Sequence, residues 1–419
     1  MTHDMLHVME WHNGEKPPSP FSDLEMWRRH DDVRQWMAAN DVDAGLFTSS
    51  QAIAYYSGWF CGGSGRKCGM VVSSTAATTI SPAIDGGQPW RQGFHDNISY
   101  TDWRRDNFFY ALRQLTQRVG RLAIEMDHVT VKFLQQLESA LPGVDFVDVG
   151  QASMWMRSIK SVEEHDLLRA GARIAAQSAT AALELIVPGV LEYEVGLAAS
   201  ASMYRAIAAT FPGIALMGCN VLFQSGIHTD GSHNPTTDKR VQPDDVLSLT
   251  CAPMLFGYSS TLQRTLFCEH ADNASLVIWQ KNLTVHQRAL DLIRPGVLCS
   301  DIARELSDLD RQCDLLKCRL GGYGQTIGLQ SNSLGGELEV AIREDCFAEL
   351  RPGMVISVDP MLMVPDGTPG AGGYRDTDIM IVTETGAERI TVFSQGPNDN
   401  IICAHTDREN GRQQLKMGR

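Results

Sequence analysis

The 419-residue chain has no C-x-x-C pair, no H-E-x-x-H, no H-x-H and no D-x-D-x-D-G run. Those absences remove the common structural zinc sites, the thioredoxin-type redox motif, the zincin helix and the EF-hand loop. No G-x-S-x-G is present either, which excludes the serine elbow of the α/β-hydrolases. No apolar run approaches the roughly 20 residues that span a bilayer. The opening MTHDMLHVMEWHNGEK lacks the basic and apolar regions of a secretory signal. Positive charge is short as well: 36 Lys and Arg against 50 Asp and Glu leave a net charge of -14. That balance argues against non-specific nucleic-acid binding and an anionic membrane partner. The expectation is a cytoplasmic protein acting on a small molecule.

What is present fits a soluble globular protein, with 43% hydrophobic and 21% charged residues. The length suggests two or three domains. Ten cysteines are scattered singly, which reads as buried or half-buried thiols in a reducing compartment.

Short strands and helices alternate over residues 1–155, describing an α/β domain. Ser22 and Glu25 have capping-box spacing ahead of a helix carrying Leu24, Trp27, Val33, Trp36 and Met37. The aromatic- and glycine-rich run YYSGWFCGGSGRKCGM reads as a loop, and Met154–Ser161 as the linker. Residues 156–419 open with two long helices, 162–186 and 193–210. Strands are expected at 214–223, 246–255 and 262–268, helices at 274–293 and 300–316, then strands at 354–363, 378–383 and 389–393. Helices followed by antiparallel-looking strands make an α+β second domain.

The most polar stretch of that second half is FQSGIHTDGSHNP, Phe223 to Pro235. It reads as a loop or strand end facing a pocket. His233 is the candidate proton-transfer residue, since imidazole takes and returns protons near neutrality. Gly231 allows close backbone approach and Asn234-Pro235 fixes the exit direction. The neighbouring strands read SLTCAPMLFGYSSTLQRTLF, with threonine, serine and glutamine where metal ligands would sit. Those side chains are poor ligands for zinc, iron or manganese, so no metal or other cofactor is expected. Cys251 or Cys219 as a nucleophile with His233 as its base is a minority reading.

Several long segments carry a family resemblance: AIDGGQPWRQ (83–92), YTDWRRDNFF (100–109), SMWMRSIKS (153–161), FQSGIHTDGSHNP (223–235), LQRTLF (262–267), CSDIARELSD (299–308) and PGAGGYRDTDIMIV (369–382). In these the chain resembles creatinase, nearly end to end. The resemblance implies a small N-terminal α/β domain and a pita-bread C-terminal domain. It also implies a homodimer with its active site near the subunit interface, and cleavage of creatine to sarcosine and urea. The metal enzymes of the superfamily hold metal at positions that correspond here to Thr250, Thr261, Gln325, Asp359 and Thr377. Creatinase is similar in having lost the metal. His233 matches the family histidine that activates water. Arg66 matches the arginine that grips the substrate carboxylate, with Ser64 where an aromatic is usual. Asp359 and Gln263 stand where the family has guanidinium-binding glutamates. Gln325 and Thr377 replace histidines, and Gly336 replaces a second carboxylate-binding arginine. Phe223 and Tyr258 complete the expected substrate contacts.

The departures remove charge from one site. Losing one charged hydrogen bond to a guanidinium costs about 1.5–3 kcal/mol. The expected function is therefore metal-free hydrolysis of a C–N bond in creatine or a related small amidino, ureido or amide carboxylate. Two alternatives stand beside it: an acid–base lyase, and a non-catalytic small-molecule binder on the same scaffold.

Overall fold

A computed structural model of the chain describes residues 6–62, 65–103, 106–329 and 340–403, and every count below refers to these. It divides into two compact units, the first running to Glu164 with Pro212–Met217 added, the second holding most of the rest. The division falls beyond the expected 155/156 junction, because the segment read as a linker is mostly helical.

The first unit holds β1 (Val8–Met9), α1 (Asp23–Ala39), β2 (Ala44–Phe47), α2 (Ser50–Ser57), β3 (Gly69–Ser73), β4 (Ala77–Pro82), α3 (Gln88–Gln92), β5 (Asp96–Tyr100), α4 (Asn107–Leu115), β6 (Arg121–Ile124), α5 (Val131–Ala140), β7 (Asp145–Asp148) and α6 (Gly150–Ser158). Its strands form one mixed sheet in the order β1-β5-β4-β3-β2-β6-β7. Leu46, Ile80, Leu122 and Ile124 from the sheet pack with Phe108, Leu112 and Leu137 of the helices. Ser22 caps α1 by accepting the Glu25 N–H, but the Glu25 carboxylate turns to Arg28 and Arg29, so only half of the capping box forms. The run expected to be loop from Tyr55 onward begins inside α2. Ser49 caps that helix, and Gly58 ends it in the left-handed region.

The second unit begins within α7 (Val162–Leu183), followed by α8 (Glu192–Thr210), β8 (Asn220–Ser225), β9 (Val246–Ala252), β10 (Met254–Leu255), β11 (Tyr258–Ser259), β12 (Leu262–Cys268), α9 (Asn273–Leu292) and α10 (Cys299–Gln312). Then come β13 (Gly324–Thr326), β14 (Val355–Val358), β15 (Met361–Val364), β16 (Gly372–Arg375), β17 (Asp378–Val382), β18 (Ala387–Arg389), α11 (Pro397–Asn400) and β19 (Ile401–Ile402). Two four-stranded sheets result, β19-β12-β9-β8 and β13-β14-β17-β18. They meet at a bridge between Gln263 and Thr377. The expected strand 354–363 is split into β14 and β15, because Pro360 has no N–H to continue a ladder. No described helix is long and apolar enough to cross a membrane.

Arg264 locks the junction of the sheets. Its guanidinium is 1% exposed and donates to the carbonyls of Gln263 (2.8 Å) and Thr377 (2.9 Å) and to Asp378 Oδ1 (2.9 Å). On the same side, α9 sends Trp279 to Asp376, Asn282 to the Pro360 carbonyl and His286 towards Asp378. Spacing of three and four places these three residues on one helix face. Burial would push the Asp378 carboxyl up, but Arg264 and Arg389 more than offset this and hold it below the usual range. Burial pulls the His286 imidazole down to about 4, so it faces Asp378 as a neutral ring and the arginines supply the countercharge. Replacing Arg264 by Ala leaves Asp378 underpaired and two strand carbonyls unmet. We expect a loss of about 3–5 kcal/mol in chemical denaturation of the second unit.

Candidate active site

Strand pleat decides which side chains share a face. Thr250 pairs with Gln263 across β9 and β12, and the Thr377 N–H donates to the Gln263 carbonyl at 3.0 Å. Val358 pairs with Asp378 across β14 and β17. One further step along that ladder sets Asp359 opposite Thr377. Gln325 pairs with Ser357, which shares the Asp359 side of its strand. Thr250, Gln263, Thr377, Asp359 and Gln325 therefore form a polar row crossing both sheets on one face. Side-chain bonds confirm the direction. Thr377 Oγ1 donates to Gln263 Oε1 (3.2 Å), Gln263 Nε2 to Ser248 Oγ (3.4 Å) and Ser357 Oγ to Asp359 Oδ2 (3.2 Å). Asp376 and Asp378, the residues flanking Thr377, point to the reverse face with Arg264.

Asp359 retains partial solvent contact, yet burial pushes its carboxyl up to about 6, only partly offset by Ser357. Thr261, the remaining position at which related metal enzymes carry a ligand, is half-buried at the entry to β12. One carboxylate among hydroxyls and amides does not fit a divalent transition metal. Among the described residues no group of three or more His, Cys, Asp or Glu could hold a metal ion.

The loop carrying His233 is anchored to the same face. Gln224, fully buried on β8, donates from Nε2 to the carbonyls of Gly231 (2.9 Å) and Asn234 (2.7 Å). Its Oε1 accepts from Arg375 Nη1 at 3.0 Å, and Arg375 Nη2 donates to the Thr229 carbonyl. A Cβ on Gly231 would come within 2.6 Å of the Asn234 side chain, and one on Gly373 within 1.9 Å of the Thr229 carbonyl. Both close approaches need glycine. Glu192, in the first turn of α8, clamps the loop from the other side. Its carboxylate accepts from the Ser225 N–H and hydroxyl and the Thr237 N–H and hydroxyl, and lies 3.1 Å from His228 Nδ1. Burial would raise this carboxyl, but the hydrogen bonds from Ser225, Thr237 and His228 outweigh it and hold it low. His233 itself is exposed at the loop tip.

One expected contact, Phe223, does not join this face. Phe223 is fully buried, and its register partner is Leu249. The pleat turns it to the reverse side with Arg264, so it supports the sheet from behind and does not reach a ligand on the polar row. Tyr258 is buried in the β10–β11 hairpin. Arg66 belongs to the first unit, where its Nε lies 2.5 Å from Asp102 Oδ2. Ser64 and Gly336 lie outside the described residues. Cys251 is fully buried and burial pushes its thiol up to about 12, which removes the nucleophile. Ser248, Ser357, Gln224 and Glu192 were not singled out in the sequence. The alternation Ser248/Thr250 and Ser357/Asp359 is the signal that finds the two serines.

Two four-stranded sheets behind a polar row, one mixed and one antiparallel, with a histidine loop pinned beside it, define the creatinase/prolidase type of architecture. Residues 29–159 match the Creatinase/Prolidase N-terminal domain and residues 166–384 match Metallopeptidase family M24. Creatinase from Bacillus sp. (strain B-0618) is 46% identical over 93% of this chain and 96% of its own length. Xaa-Pro dipeptidase from Pyrococcus horikoshii is 24% identical over 86% of this chain and 95% of its own. Among solved structures, prolidase from P. horikoshii OT3 superposes with a TM-score of 0.75 at 20% identity, covering 88% of this chain and 99% of that one. X-Pro aminopeptidase from Thermotoga maritima MSB8 gives 0.77 at 18% identity, covering 88% and 98%. The chain belongs to the creatinase family, within M24, and is a creatinase-like hydrolase of non-peptide C–N bonds.

The Glu192 clamp has a pH signature. A carboxyl whose folded value is depressed stabilises the fold above its unfolded value of about 4.3, and that stability is lost as pH falls through the folded value. Glu192→Gln is expected to cost about 1–3 kcal/mol at neutral pH. Thermal melts between pH 3 and 8 should show the gap to the parent narrowing on acidification.

Proposed function

We propose that the chain is a metal-free hydrolase that cleaves the C–N bond of creatine or a related small amidino, ureido or amide carboxylate. His233 takes a proton from water and returns it to the leaving nitrogen. The observation that carries this reading is the Gln224 staple, which anchors the His233 loop to the same face as Gln263, Thr377 and Asp359. That anchoring supports a reading in which a proton carrier works beside polar groups able to hold a planar C–N centre. Gln263, Gln325 and Thr377 would hold that centre, and Asp359 would accept its N–H. Tyr258 would orient it from the hairpin. The half-exposed Arg66 already pairs with a carboxylate, Asp102, which supports its assignment to the substrate carboxylate. Ser64 stands beside it in sequence. A single carboxylate in the row supports chemistry without a metal. The resemblance to creatinase supports a homodimer, and the composition supports a cytoplasmic location.

His233→Ala should lower kcat by about a hundred- to ten-thousand-fold. Thermal stability and ligand affinity should stay near the parent values, because the side chain is exposed. Product release by that variant at the parent rate would sink the assignment. The Asp359 carboxyl at about 6 adds a second test. It is protonated below that pH and cannot then act as an anion, so kcat/KM should fall on acidification through about 6. Asp359→Asn should remove that contribution to the profile and lower the rate at every pH.

A further inference from the structure

We propose that the reacting group of the substrate is a neutral ureido group, as in an N-carbamoyl amino acid, and not a guanidinium. This rests on the hydrolase reading above and sharpens it to one substrate class.

The guanidinium of creatine is a cation with N–H donors on two nitrogens and no acceptor. Taking it out of water requires carboxylates and acceptor atoms around it. The polar row offers a single carboxylate, and its amides and hydroxyls donate as readily as they accept. Gln263 is 5% exposed, and its amide is already held at both ends, by Thr377 Oγ1 on its oxygen and by Ser248 Oγ on its nitrogen. One N–H of that amide is used on Ser248, which leaves the other to donate to a ligand on this face, and a guanidinium has nothing to accept it. Gln325, the other amide of the row, also carries N–H donors of this kind. Asp359 is the single anion of the row, and its side-chain hydrogen bond comes from the neutral Ser357 hydroxyl. A ureido group matches this set. Its carbonyl oxygen accepts from an amide N–H, its N–H groups donate to Asp359, and it brings no charge needing a second carboxylate. The carboxamide lining and the ligand then present the same functional group to each other, each using one donor and one acceptor.

The reaction balances without further reagents. Water oxygen bonds to the ureido carbon as His233 takes its proton. The bond from that carbon to the amino-acid nitrogen breaks, and His233 returns the proton to that nitrogen. The products are the free amino acid and carbamic acid, which falls apart to ammonia and carbon dioxide.

N-carbamoylsarcosine and creatine differ at the central carbon alone, C=O against C=NH2+, and both release sarcosine. Sarcosine formation should favour N-carbamoylsarcosine by at least about ten-fold in kcat/KM, the scale of one charged hydrogen bond. Gln263→Glu should shift the ratio towards creatine by at least about ten-fold. Gln263→Met, close in shape and without polar atoms, covers failure of the buried glutamate to fold. It should lose N-carbamoylsarcosine turnover without gaining creatine turnover. Preference for creatine in the parent, or a ratio unmoved by either variant, overturns the proposal. If neither compound is cleaved, the hydrolase reading fails on these substrates and calorimetric affinity decides the present point. Tighter binding of N-carbamoylsarcosine upholds it, and equal or tighter binding of creatine overturns it.

Discussion

The Arg264 guanidinium is the interaction on which the catalytic half depends. Two separate sheets would splay apart where a bridge between Gln263 and Thr377 joins them. Arg264 binds the carbonyls of both bridge residues and Asp378 beyond them. Burying a guanidinium this completely is unfavourable unless its donors and its charge are met. The reverse face meets the charge with the Asp378 carboxylate and the Nη donors with two strand carbonyls, while Nε stays without a partner among the described residues. The consequence reaches the front. Because the bridge is fixed from behind, Gln263 and Thr377 hold their side chains side by side on the front face.

A second buried arginine works differently. Arg375 is fully buried, and the side chains it contacts are neutral: the Gln224 amide, with the Thr229 carbonyl beside it. Burial pulls its guanidinium down to about 10, partly offset by Asp230, so it remains charged at neutral pH. Its contacts orient Gln224, and Gln224 then has only its N–H groups left for the loop. The His233 loop is thus positioned by a relay of directional bonds, with Glu192 gripping the two ends at Ser225 and Thr237. A histidine at the tip of an otherwise pinned loop can be exposed to substrate without being loosely placed.

The fold was readable from periodicity wherever one face of an element is apolar. The strand at 262–268 and the helices beginning near 162, 193, 274 and 300 all appear close to their expected bounds. Misses occurred where local signals competed. The α2 segment hides among aromatics and glycines, although Ser49 and Gly58 carry its caps. The stretch read as a linker is helix because Ser153 and Arg157 are buried in the first unit, a tertiary effect absent from composition. The resemblance singled out Gln263, Asp359, Gln325 and Thr377 as candidates, but only pleat and register show that they form one row. Phe223 was misjudged for the same reason. Its motif neighbours are polar and functional, yet a one-residue offset turns it to the reverse face.

That alternation also explains how charge is distributed. Along Arg375-Asp376-Thr377-Asp378, the two aspartates face back and Thr377 faces the polar row. The reverse face keeps its full complement of charged groups, including Asp376, which burial pushes up to about 7 and which accepts from Trp279 at 3.1 Å. The front keeps one carboxyl, Asp359, raised by burial with only a serine hydroxyl to counter it. A carboxyl in that condition gains more from an incoming N–H donor than one already satisfied. By linkage, a ligand that binds its ionised form must pull its proton off, and binding must weaken as pH falls below about 6. Scaffold and site have therefore separated. The buried ion pair of Arg264 with Asp378 lies on the reverse face and shares no side chain with the polar row in front.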